Sequence, residues 1–75
     1  MHLIRLRCTD RMSVSVLITI GVDNTIKELK EEICRHIGKD REQITLKREN
    51  RELADSIEID AYELKDGECI EIEYR

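Results

Sequence analysis

The sequence predicts an α+β fold in which a mixed sheet of four to five strands packs on one amphipathic helix. Three observations point there. The segments Leu3 to Cys8 and Cys69 to Tyr74 alternate apolar and polar residues at the period of a half-buried strand. Between them the period changes at a polar corner to the three- and four-residue spacing of a helix. The chain has 75 residues and 8.9 kDa, room for a single hydrophobic core, so residues 1–75 are expected to form one domain.

In the first strand Ile4, Leu6 and Cys8 share one face and Arg5 and Arg7 the other. Thr9, Asp10 and Arg11 carry turn chemistry. Beyond them Val14, Val16, Ile18 and Ile20 alternate with Ser13, Ser15, Leu17 and Thr19, which predicts a hairpin. Gly21 ends that run, and Asp23 and Asn24 lead to Thr25, which forms a capping box with Glu28 three residues on. A helix of about three turns therefore starts at Ile26. Ile26, Leu29, Ile33 and Ile37 make its buried stripe, which leaves Lys27, Lys30, Glu31, Arg35 and His36 to face water. Glu31 and Arg35 are an i, i+4 pair in the favourable order, and Gly38 suits the left-handed residue that closes a helix.

Past Gly38 the chain is charged until Ile44 and Leu46, the inward positions of a short third strand with Thr45 and Lys47 outward. Arg48 to Arg51 reads as a turn. Leu53, Ile57, Ile59, Tyr62 and Leu64 keep no period, which predicts an irregular plug containing one tight helical turn. Asp66-Gly67 marks another turn before the last strand, with Ile70 and Ile72 inward and Glu71 and Glu73 outward. This order of elements looks like a ubiquitin-type β-grasp, which sets the first and last strands side by side and parallel. Arg5 and Arg7 are then expected to neighbour Glu71 and Glu73.

Composition narrows the function. Thirteen basic residues against 17 acids leave a formal charge of -4, which disfavours binding driven by phosphate contacts, and no aromatic stacking platform is present. No direct nucleic-acid partner is expected. The longest apolar stretch, Val16 to Ile20, is broken by Thr19 and is too short to span a bilayer, so no membrane partner is expected either. Three cysteines, Cys8, Cys34 and Cys69, contain no CxxC pair and fit neither a disulfide framework nor a zinc site, which implies a reducing compartment. Cys34 and His36 cannot act as a thiol and its base, because residues two apart on a helix point roughly 160° apart. Glu31 and Glu32 sit on a charged, solvated face. No phosphate loop, metal spacing or activated serine is present, so neither catalysis nor a cofactor is expected, and binding through a surface remains.

The sequence resembles the Hub family of spliceosome-associated ubiquitin-like proteins, along essentially the whole chain. Cys8-Thr9-Asp10-Arg11-Met12 at the first turn and Asp23 with Thr25 and Ile26 at the helix start carry the likeness, as do Leu29-Lys30 and Ile44, Leu46 and Lys47. Tyr62-Glu63, Asp66-Gly67 and Glu71 with Tyr74 complete it. The resemblance implies a modifier in name only, one that docks a short helical, arginine-containing motif of a splicing factor and modulates pre-mRNA splicing. It also implies a monomer found in the nucleus and cytoplasm. The family's acidic docking residue just before the helix is Asn24 here, with Asp23 adjacent. An Asn cannot make the charge-assisted bidentate pair with arginine that a carboxylate can. Glu73-Tyr74 stands where the family usually has a tyrosine pair and Lys65 where a histidine is frequent, so contacts through that second surface do not carry over.

Covalent ubiquitin-like modifiers end in a flexible diglycine tail, whereas this sequence ends Ile72-Glu73-Tyr74-Arg75, so no isopeptide bond is expected in this form. Ubiquitin's apolar recognition patch is expected to be lost too, with Thr45, Glu71 and Glu73 at the outward positions. The leading candidate surface is the groove between the edge of the second strand and the helix, framed by Ser15, Leu17, Thr19, Asp23, Asn24 and Lys30. A second is the basic corner of Lys39, Arg41, Lys47, Arg48 and Arg51, although Asp40, Glu42 and Glu49 favour a solvated face there. Two other readings stay open: a covalent modifier in processed or truncated form, and a ubiquitin-like domain of a larger scaffold or proteasome-shuttling protein. Met1 leading directly into the first strand fits a complete protein and an excised domain equally.

Overall fold

Five strands and one helix are present: β1 Leu3–Thr9, β2 Ser15–Gly21, α1 Ile26–Ile37, β3 Ile44–Arg48, β4 Arg51–Glu52 and β5 Cys69–Tyr74. They are seen in a computed structural model that describes residues 2–75; Met1 lies outside the described residues. The sheet order is β2-β1-β5-β3-β4, with β1 and β5 parallel at the centre and the other neighbours antiparallel. This is the β-grasp that the order of elements predicts. A 3-10 turn at Ile59–Tyr62 plugs the core as expected, with Ile59 fully buried.

Local chemistry accounts for the first half of the chain. The Asp10 Oδ1 atom accepts hydrogen bonds from the N–H groups of Met12, Ser13 and Val14 at 2.9, 3.0 and 2.9 Å. Thr9 Oγ1 accepts from the Arg11 N–H and donates to the Val14 carbonyl. Together these bonds hold Arg11 at φ +68° and close the β1–β2 hairpin. At α1, the Glu28 N–H donates to Thr25 Oγ1 at 3.3 Å and the Thr25 N–H to Glu28 Oε1 at 2.8 Å, the reciprocal capping box. Gly38 closes the helix at φ +71°, its N–H on the Cys34 carbonyl.

The stripe of α1 meets the inward residues of the sheet in an aliphatic core. Leu6, Ile26, Leu29, Ile33, Ile44, Leu46, Ile59 and Ile70 are fully buried. Each contributes roughly 1.5–3 kcal/mol relative to exposure. No helix of the described residues is long and apolar enough to cross a membrane.

Four local expectations are corrected. Arg7 lies beside Cys69 and Thr9 beside Glu71, so Arg5 pairs instead with Asp66 at 3.3 Å, Glu71 with Arg11 and Glu73 with Lys47. Glu31 does not pair with Arg35. A 3-10 turn at Arg41–Gln43 swings Arg41 back onto Glu31 at 2.8 Å, and Arg35 takes Glu32. The turn at Arg48 to Arg51 narrows to Glu49 and Asn50, both at positive φ, and Arg51–Glu52 becomes a fifth strand against β3. Thr45 points outward yet is buried, because Arg75 Nε donates to its Oγ1 at 2.8 Å.

Candidate functional site

β2 forms one edge of the sheet, and α1 passes beside it, leaving a groove of about 380 Å³. Leu3, Ile20 and Thr19 line its sheet side, and Asn24, Glu28, Glu31, Glu32 and Arg35 its helix side. The helical residues converge there for a simple reason. Positions 28, 31, 32 and 35 are three or four apart and so project from one flank of α1.

The flank is acidic, and its charges differ in how they are engaged. Glu31 is paired with Arg41 and Glu32 with Arg35. Glu28 makes no ion pair among the described residues. Its Oε1 accepts from the Thr25 N–H at 2.8 Å and from the Asn24 side-chain amide at 3.2 Å, while Oε2 accepts no hydrogen bond among the described residues. The Thr25 backbone bond, followed by the Asn24 amide, holds the Glu28 carboxyl below its ordinary range. Asn24 is itself fixed. Its Oδ1 accepts from the Gly21 N–H at 3.1 Å, and its own N–H donates to the Gly21 carbonyl at 3.0 Å.

Of the residues expected to frame the groove, Thr19 and Asn24 line it and Asp23 stands exposed at its end, beside Asn24. Ser15 and Leu17 lie further along the β2 edge. Leu17, 51% exposed, points to the face opposite α1, alongside Arg7. Lys30 is the correction. It was expected to face water and frame the groove, but it is 2% exposed, and its Nζ lies 2.6 Å from Asp55 Oδ1 outside the groove lining. The groove residues missed in the sequence are Leu3, Ile20 and Gly21 on the sheet side and, on the helix, Glu28, Glu31, Glu32 and Arg35. Their helical spacing was visible, but which flank of α1 meets the β2 edge was not.

Most of the basic corner is taken up by internal contacts, with Arg51 left exposed. Arg41 reaches Glu31, Lys47 reaches Glu73 at 3.0 Å and Arg48 reaches Glu68 at 3.3 Å. Lys39 Nζ sits 5.3 Å from the Tyr74 ring centre.

Comparison with known proteins adds the family. Residues 3–73 match the family described as Rad60-SLD, "Ubiquitin-2 like Rad60 SUMO-like". The chain belongs to this family of ubiquitin-like domains. Ubiquitin-like protein 5 of Drosophila melanogaster is 33% identical over 73 residues, covering 97% of this chain and all of the relative. Ubiquitin-like modifier hub1 of Schizosaccharomyces pombe is 29% identical over 72 residues, covering 96% and 99%. Among solved structures, a chain from "Molecular Mimicry of SUMO promotes DNA repair" superposes with a TM-score of 0.86 at 26% identity, over 95% of this chain and 90% of that one. The UBL domain of Plasmodium falciparum Dsk2 gives 0.91 at 18% identity, over 99% and 100%, and supports the fold.

The open sheet face of this Hub-type ubiquitin-like protein is charged rather than apolar. Thr45 lies under Arg75, while Glu71 and Glu73 face Arg11 and Lys47. The anionic β2–α1 groove differs from it in carrying a carboxylate, Glu28, that makes no ion pair among the described residues, whereas Glu71 and Glu73 are each paired with a basic side chain.

Proposed function

We propose that this ubiquitin-like protein works by non-covalent docking of a helical, arginine-containing segment of a splicing factor in the β2–α1 groove, and so modulates pre-mRNA splicing. It acts in the nucleus and is also present in the cytoplasm. The observation that carries the reading is the Asn24–Glu28 pair at the helix start. The acid that the Hub resemblance leads one to expect at position 24 is missing, yet the Asn24 amide steadies Glu28, whose free oxygen supplies a carboxylate one turn along. Asp23 adds a second, exposed carboxylate at the same end. An arginine entering there meets acceptors that are already ordered, which lowers the cost of fixing it.

The test is a titration of the isotopically labelled protein with an arginine-containing helical peptide from a splicing factor, followed by NMR. Amide shifts at Thr19, Asp23, Asn24 and Glu28 are expected, and weaker binding by Asp23→Ala. Shifts confined to other surfaces, or none, would refute the reading.

A further inference from the structure

β2 is a sheet edge of seven residues, Ser15–Gly21, containing neither charge nor proline. The Val22 N–H donates to the His2 carbonyl and the Asp10 N–H to that of Val14. In the continuous β1–β2 register, the even residues of β2 therefore bond β1 and the odd residues turn their backbone groups outward. Asn24 covers Gly21. The N–H and C=O groups of Ser15, Leu17 and Thr19 have no partner among the described residues. Sheet edges are ordinarily blunted by shortness, charge, proline or a bulge. The other edge, β4, has two residues; β2 has none of these devices.

Ser15 to Thr19 reads alike in both directions: hydroxyl, β-branched aliphatic, leucine, β-branched aliphatic, hydroxyl. An antiparallel pairing with a second copy about a two-fold axis at Leu17 sets leucine on leucine. It also sets Ser15 on Thr19 and Val16 on Ile18, so each cross-strand pair matches in chemistry. The bonds exchanged are those of the odd residues, the ones left open.

Continuing this register brings the β1–β2 turn of the second copy alongside the groove of the first, Ser13 opposite Gly21 and Arg11 beyond it. Arg11 is exposed, with a single 3.4 Å contact to Glu71, and Met12 is 89% exposed, the most exposed large apolar residue of the described chain. The groove offers Glu28, which makes no ion pair among the described residues, to the one and Leu3 to the other. The second copy thus supplies both the matching strand and the opposite charge.

We infer that the protein self-associates as a two-fold dimer through β2, with Arg11 and Met12 of each copy seated against the other's β2–α1 groove. The monomer expected from the sequence is its dissociated form. The pairing stands without the peptide reading, but the two use one groove and compete.

Sedimentation equilibrium of the full chain from micromolar to millimolar concentration tests it. The mass is expected to rise from that of one chain toward two. Leu17→Lys, which opposes two ammonium groups at the axis, is expected to stay at one, and Arg11→Glu to weaken the dimer several-fold. Circular dichroism reports whether each variant is folded. Since Leu17 and Arg11 lie outside the core, both are expected to be. On concentrating the labelled protein, the amides of Ser15, Leu17 and Thr19 should shift and gain exchange protection. A wild-type chain that remains single at millimolar concentration overturns the proposal. So does a Leu17→Lys chain that dimerises normally, or a dimer whose shifts lie elsewhere. Peptide binding by a strictly monomeric wild type would retain the docking reading while discarding the dimer.

Discussion

Lys30 and Asp55 clamp the helix to the segment after β4 through a 2.6 Å contact in which the lysine side chain is 3% exposed and the aspartate side chain 48%. Two backbone bonds reinforce it, from the Lys27 N–H to the Asp55 carbonyl and from the Ile26 N–H to that of Ile57. Removing Asp55 leaves a buried ammonium without its partner. Asp55→Ala is expected to cost about 2 kcal/mol, below the range for fully buried pairs because water reaches the carboxylate. Lys30→Met, which keeps the volume and drops the charge, should cost less than about 1 kcal/mol. Urea denaturation of the two variants and their combination measures both. Equal losses for Asp55→Ala and Lys30→Met would deny the clamp its electrostatic character.

Glu28 has two separable roles, cap and groove carboxylate. Glu28→Gln keeps an acceptor for the Thr25 N–H, so the melting temperature should hardly move, while affinity for the arginine peptide falls about two- to fivefold. Thr25→Ala does the reverse, costing about 1 kcal/mol of stability and sparing the affinity. Calorimetric titration of both variants with the same peptide distinguishes charge from helix integrity.

Acid should weaken the fold through Asp10. Its carboxylate accepts from Tyr74 Oη at 2.7 Å and from three N–H groups of the hairpin. The Tyr74 bond, then those backbone bonds, hold it well below the usual carboxylate range. The folded value lies under the unfolded one of about 4. The contribution is therefore complete above that unfolded value and is lost as pH falls through the folded one. Glu28 and Asp66 are lowered in the same direction. Thermal melts should hold level from neutrality to about pH 5 and decline below about pH 4. Asp10→Asn should start lower and decline less over that interval.

The three cysteines should differ sharply toward a thiol reagent. Cys69 is exposed. Burial, and secondarily the neighbouring Cys69, push the Cys8 thiol up to about 12, and burial also raises Cys34. One thiol is expected to react quickly in the native protein and all three in denaturant, with Cys69→Ser abolishing the fast reaction. Fast labelling of Cys8 would mean that β1 opens far more readily than its burial implies.

Much of this architecture could be read along the chain. The alternation in β1, β2 and β5, the Thr25–Glu28 box and Gly38 at the helix end are local signals, and each appears where it was expected. The Arg41–Gln43 turn was missed because its apolar content is nil. It is held by a reciprocal pair, the Asp40 N–H on Gln43 Oε1 and the Gln43 N–H on the Asp40 carbonyl. β4 was missed because two residues are too few to show a period.

The candidate site was less legible. Of the residues that side-chain phase and position suggest for the groove, Thr19 and Asn24 line it and Asp23 is exposed beside Asn24, whereas the charge of Lys30 pointed to water and the side chain is buried. Its burial depends on Asp55, 25 positions away and unrecognisable as a partner before the chain folds.

The sequence by itself settled which apolar residues of the strands turn inward and where the helix starts and stops, since side-chain alternation and capping act within a few residues. Only the tertiary structure decided the parallel β1–β5 register, the partners of Arg5, Glu71 and Glu73, and which flank of α1 meets the β2 edge. Those follow from core packing summed over the whole chain. A long, flexible charged side chain at the surface takes whichever opposite charge that packing brings within reach.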